Sequence, residues 1–379
     1  MKKFAVLLIT VMAFSGVYAQ SNNVVASFNY LNRGKLDKAK EAIDKAVEHS
    51  KTMNDAKTWF YFGNVYLSIQ LTDEEEYKNL DPNPLDKAYQ AYLKSLELDT
   101  KDEYSDQVRD RILVCSEQYF NNGVAGYNEK DYKKAAEAFA NAAMTRQQVG
   151  SIDTLSAFYA GQSAFLAEDY QVARKYMDQV KELKYPEPAI YSILASVYKV
   201  EGDTAAAIVV INEGRKVFPD DYSLIIDAAN LYLATGQSQD ALDVLTLAIE
   251  KDKTNPSLFF AAGTIYDKMG NFEKAHDLYM SAIETDPNYF DANYNLGALY
   301  FNKAVEIITE AGNLPLNETA KYDKKMEEGK AMMQKALPYL EKADSIQESD
   351  QITLQTLKEI YTRLGMMDKV KGVNERLNN

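Results

Sequence analysis

A period of 34 residues runs through the middle of the chain and limits what it can fold into. Small residues stand at Gly161, Ala195, Ala229, Gly263 and Gly297, four equal intervals in succession. Tyr198, Tyr232, Tyr266 and Tyr300 each follow the small residue by three positions, and Ala173, Ala207, Ala241 and Ala275 follow it by twelve. Turn residues fall between: Gly202-Asp203, Gly236-Gln237, Gly270-Asn271, and Glu168-Asp169 where glycine is missing. Self-similarity at this length marks an array of helix-turn-helix repeats, each leaving apolar faces that only its neighbours cover. Length alone, at 379 residues, predicts two or three ordinary globular domains instead.

Helical spacing explains the landmarks. Residues at i, i+3, i+4 and i+7 share one face, and one repeat places Phe259, Ala262, Gly263 and Tyr266 there. Gly263 lets a second helix approach, and that helix carries Ala275, Tyr279 and Ala282, small residues around one bulky knob. Asp286-Pro287 ends it, because the residue before proline is pushed out of the α region. Phe259-x-x-Ala262-Gly263-x-x-Tyr266, Ala275-x-x-x-Tyr279 and Pro287 resemble the tetratricopeptide repeat. The expected fold is all-α, a right-handed superhelical solenoid of eight to nine repeats centred on Ser27, Gly63, Gly123, Gly161, Ala195, Ala229, Gly263, Gly297 and a degenerate copy at Lys358. One array is expected over residues 20–379.

Two intervals break the period. The second repeat carries 13 extra residues within about 71–86, including Asp73-Glu74-Glu75-Glu76, which reads as a solvated loop rather than a calcium site. The eighth carries 27 extra, and residues 302–335 are expected to form a projecting helical hairpin. Pro338 marks a kink or a fresh helix start.

Residues 1–19 read as a secretory signal peptide: Lys2 and Lys3, an apolar stretch from Phe4 to Phe14, and a small-residue end at Ala19. The run is too short to span a bilayer, and no cysteine follows the cleavage site to make a lipoprotein. Export to the periplasm is the expectation. The net charge of -14 argues against a nucleic-acid partner, which needs a positive surface. Cys115, the only cysteine, reads as core.

No constellation of residues carries recognisable chemistry. His49 and His276 lie outside any metal-ligand spacing and are expected on solvent-facing helix positions. Phosphate loops, nucleophile elbows and Cys-His pairs are missing, so neither an enzyme nor a cofactor or metal is expected. Asp153-Thr154-Leu155, Asp203-Thr204-Ala205 and Asp344-Ser345-Ile346 resemble an acceptor pattern for O-glycosylation in exported bacterial proteins, but Asp153 and Asp203 read better as turn or helix N-cap residues.

Partner binding is then read from the first helices, which line the concave surface of such solenoids. Phe60, Phe120, Phe158, Ile226, Phe260 and Tyr294 stand three residues before the small residue, with Asn64, Gln162 and Asn230 just after it. This ladder predicts an aromatic, amide-lined groove that takes a protein or peptide ligand. The family's carboxylate clamp is reduced to Lys57 and Asn64, and Lys199 is the one basic residue of the groove positions, so an acidic peptide is a poor ligand. The expected function is an exported interaction scaffold for a cell-envelope complex; the alternative is a periplasmic holdase for secreted or outer-membrane polypeptides.

Overall fold

The computed structural model describes residues 23–377, and the expected leader at 1–19 lies outside them. Among the described residues, helix is the only regular secondary structure. The chain forms two compact units that meet in sequence at Val197 and Tyr198. The first unit contains α1 (23–31), α2 (Leu36–Val47), α3 (Ala56–Leu71), α4 (Glu75–Lys78), α5 (Pro84–Leu98), α6 (Ser105–Asn128), α7 (Tyr132–Gln148), α8 (Thr154–Leu166), α9 (Tyr170–Glu182) and most of α10 (Ala189–Val200). The second contains α11 (Thr204–Val217), α12 (Tyr222–Ala234), α13 (Ser238–Lys251), α14 (Pro256–Lys268), α15 (Phe272–Thr285), α16 (Phe290–Gly312), α17 (Thr319–Ile346), α18 (Gln351–Arg363) and α19 (Met367–Leu377). Within each unit helices pack on their neighbours in sequence, and some first helices also touch the next first helix, as α3 touches α6 and α14 touches α16. This is an all-α solenoid of helical repeats.

One contact recurs in five of the pairs, those whose first helix carries a glycine at the small position. The small residue of the first helix faces a buried side chain 16 positions on: Phe139 for Gly123, Met177 for Gly161 and Tyr279 for Gly263. Tyr92 meets Gly63 and Leu340 meets Gly297 in the same way, so the two insertions leave the contact in register. A Cβ at Gly63 would fall 2.5 Å from the Tyr92 ring, and one at Gly297 2.5 Å from Leu340. Each knob fills the space that a side chain on the first helix would occupy, and burying one contributes about 2–3 kcal/mol. In the first pair Ser27 takes the small position, and its Oγ donates to the Ala39 carbonyl at 3.0 Å.

Four of the turns between paired helices use one device. The first helix ends on a left-handed residue and an aspartate or asparagine then caps the second. Gly270 has φ 73° before Asn271, whose side chain accepts from Lys274 N–H. Where glycine is missing, Glu168 adopts φ 61° before Asp169, and Lys130 φ 62° before Asp131. Asp153 and Asp203 likewise cap α8 and α11, leaving Thr154 and Thr204 half-buried in the first turns. Asp344 instead pairs with Arg376 at 2.6 Å.

The first insertion lies against the core. Tyr77 and Leu80 pack on it, and buried Asp81 accepts from Asn83 N–H at 3.0 Å and pairs with Lys87, while Glu74, Glu75 and Glu76 are exposed. In the second insertion α16 and α17 run side by side, with Ala304, Ala311 and Met333 buried and Gly329 against Ile308. The helix runs unbroken through Pro338, which is exposed, so neither a fresh start nor an interruption occurs there. Cys115 is fully buried, and burial pushes its thiol up to about 12. The histidines depart from expectation: His49 sits in the turn after α2, and the His276 ring lies between Phe272 and Tyr300.

Two substitutions of opposite sign test this account. Gly63→Ala should destabilise by about 1–3 kcal/mol in chemical unfolding, because displacing the buried Tyr92 ring outweighs alanine's better helix propensity. Gly372→Ala, in a helix where nothing stands within 4 Å, is the control that should not destabilise. Glu168→Gly should stabilise by up to about 1 kcal/mol, by relieving the left-handed conformation at an exposed site.

Candidate partner-binding surface

The residues predicted to line a groove fall into two sets. Phe60, Asn64, Phe120, Phe158 and Gln162 belong to the first unit, and Ile226, Asn230, Phe260 and Tyr294 to the second. Each aromatic of the ladder is engaged by other rings. Phe60 packs 5.3 Å from Tyr104, Phe158 5.7 Å from Tyr185, and Phe260 5.5 Å from Tyr289. Those tyrosines stand at the entry to the following repeat, two of them as the residue before its first helix. Phe120 lies 5.3 Å from Phe139 and 6.2 Å from Tyr159, and Tyr294 stacks on Phe290.

Phe60 and Phe158 are only 5% and 6% exposed, which removes them as anchors for a ligand. The cause is geometric: a ring three residues before the small position reaches across the repeat boundary, where the incoming tyrosine closes over it. Asn64 is also committed, its Oδ1 accepting from Tyr92 Oη at 2.9 Å. Phe120, Gln162, Ile226, Phe260 and Tyr294 remain half-buried, and Asn230 is exposed. Sequence reasoning missed Tyr104, Tyr185 and Tyr289. They stand at different distances from the next small residue, so the 34-residue landmarks do not mark them.

The entry tyrosine of α6 is held by one carboxylate. Asp99 accepts from the backbone N–H groups of Glu103 at 2.9 Å and Tyr104 at 2.7 Å, and from Ser105 Oγ at 3.0 Å. Burial acts to raise the Asp99 carboxyl, but these donors outweigh it and hold the group below its ordinary value.

Open space on the first-helix face of the first unit occurs beside Phe120. A cleft of about 490 Å³ between α6 and α8 is lined by Phe120, Asn121, Glu117, Leu155 and the Arg146–Asp153 pair. Leu155 is 42% exposed and Asn121 is exposed. Arg146 Nε lies 3.4 Å from Asp153 Oδ2, and Asp153 accepts from Ser156 N–H and Oγ, so the carboxylate of the pair is fixed in place by the cap of α8. The cleft thus offers an apolar floor, an amide, and charges of both signs. Among the described residues no group of three His, Cys, Asp or Glu is placed to hold a metal ion, and no helix is long and apolar enough to cross a membrane.

Asp99→Asn should lower the unfolding midpoint at pH 7. The charged form contributes stability above the ordinary aspartate value of about 3.9, and that contribution is lost as pH falls through the lower folded value. The gap between variant and wild type in urea titrations should therefore close below about pH 4.

Comparison with known proteins bears on the repeat itself. A family model described as TPR repeat matches residues 263–303. No curated protein matches the chain. Among solved structures, MamA from Desulfovibrio magneticus RS-1 is 15% identical at a TM-score of 0.38, over 52% of this chain and 97% of that one. YrrB, described as a TPR protein with an unusual peptide-binding site, is 20% identical at 0.31, over 67% and 97%. An IFIT1 mutant with m7Gppp-AAAA is 15% identical at 0.39, over 84% and 73%. Likenesses this distant carry no argument about function. The match covers one repeat, residues 263–303, and helix pairs on either side repeat its small residue and knob, so the chain carries repeats of the tetratricopeptide type.

Proposed function

We propose that the mature chain is an exported interaction scaffold, acting in the periplasm, that holds a polypeptide partner on the first-helix face of its repeats during assembly of an envelope complex. The observation that carries the binding reading is the α6–α8 cleft: on a face where Phe60 and Phe158 are consumed by packing, Leu155 and Asn121 stay open beside Phe120. An apolar side chain of the partner fits against Leu155 and Phe120, with its backbone within reach of the Asn121 amide. Export is supported by the basic and apolar residues 2–14 and by the small-residue end at Ala19.

Affinity capture from an envelope extract with residues 20–379 tests the reading, beside a Leu155→Asp/Asn121→Lys variant. Both positions are exposed, so the variant should keep the helical signal and unfolding midpoint of the parent. One or two defined proteins should be recovered and should be lost with the variant. Retention of the same proteins by the variant would remove the cleft as the site, and recovery of many unrelated unfolded chains would favour a holdase. The hairpin is compared through Leu316→Asp at its tip, where Leu316 is fully exposed. Deleting residues 303–335 would also remove the buried Ala304 and Met333 and so confuse binding with folding.

A further inference from the structure

The first unit carries a second open region, on the opposite side of the turn that ends in Asp153. Helix α8 packs against α7 and against α9. Between α7 and α9 lies a trough of about 670 Å³. Three apolar side chains on its walls are exposed: Met144 at 45%, Ile152 at 66% and Leu183 at 40%. None belongs to the groove positions of the repeat, which lie on first helices. Exposed apolar residues are common one at a time, but three around one concavity form a contiguous surface.

We propose that this trough docks an amphipathic helix of a partner polypeptide, at a site separate from the α6–α8 cleft. A helix fits for two reasons. The walls are themselves helices whose backbone groups are bonded internally, so an extended strand would find no edge to pair with. A helix brings its own hydrogen bonds satisfied and can lay one apolar ridge between two helices.

Charge sets its direction. Lys175 and Glu182 line the trough on α9, two turns and about 10.5 Å apart. The C-termini of α7 and α9 and the Glu182 side chain share one end, where a helix N-terminus with its partial positive charge is favoured. The docked helix therefore runs antiparallel to α9, with an acidic side chain about two turns along that faces Lys175.

Panning a displayed library of random peptides of about 16 residues, some four helical turns, on the mature chain tests the proposal. The expected result is an enriched family with apolar residues at i, i+4 and i+7 and an acidic residue near its middle, about two turns from its N-terminus. Its affinity should fall at least tenfold with Ile152→Asp and with Lys175→Glu, and be unchanged by Leu155→Asp in the other cleft. Panning on Lys175→Glu should select a basic residue at the acidic position. Ile152 is exposed in a turn, and circular dichroism of its variant should match the parent. The proposal is overturned if no enriched family is sensitive to Ile152→Asp, or if the sensitive family is indifferent to charge at Lys175.

Discussion

Everything else in this chain hangs on the contact between a small residue of one helix and the bulky side chain that lies over it. Gly63 under Tyr92, Gly123 under Phe139, Gly263 under Tyr279 and Gly297 under Leu340 set the distance and the register of their pairs. A repeat array has no single core to average out errors, because its contacts run only to neighbours. Each pair must therefore be positioned locally, and a small residue facing a rigid ring does so within a few tenths of an ångström. The insertions show the priority of this contact. The extra residues of the second and eighth repeats are placed between the small residue and its knob in sequence, yet Tyr92 and Leu340 return to the same place.

The same economy explains why the aromatic ladder is mostly structural. A ring at a fixed position before the small residue meets whatever the next repeat brings to the boundary, and in three repeats that is a tyrosine. Edge and tilted ring contacts of this kind add about 0.5–1.5 kcal/mol beyond area burial. Recurrence at one geometric position is thus what packing between identical neighbours produces. A binding site is better sought where recurrence fails. The α6–α8 cleft is such a place: Leu155, one position into α8, is exposed beside an ion pair whose carboxylate is fixed.

Legibility in the sequence followed the same division. Helix pairs, their small residues, the knob of the second helix and the two insertions were all readable, because each is tied to the 34-residue period or is an interruption of it. The turn at Glu168 was readable as a place where glycine was absent, though its left-handed backbone was not. What escaped has no periodic signature. Tyr104, Tyr185 and Tyr289 sit at irregular offsets, so nothing in the pattern announced that they would cover Phe60, Phe158 and Phe260. Pro338 starts no new helix, because a helix can carry proline where the chain is exposed and the flanking turns, Ala336 and Leu340, are pinned in the core. The open surfaces depend on Ile152 and Leu155, which flank the Asp153 cap and belong to no series.

Acidity takes on a narrower meaning in this light. Much of it is spent at element ends: Asp99, Asp131, Asp153, Asp169, Asp203, Asp221 and Asp350 all accept backbone N–H groups there. A solenoid with two helices per 34 residues has a helix N-terminus about every 17 residues, and each first turn leaves donors that a carboxylate satisfies and whose partial positive charge it balances. Short helices in large number thus demand many capping residues, whatever the partner. Part of the net negative charge is a consequence of the architecture, so the total says little about the ligand, and the sign of charge at individual openings, as at Lys175 and Glu182, is the quantity that selects one.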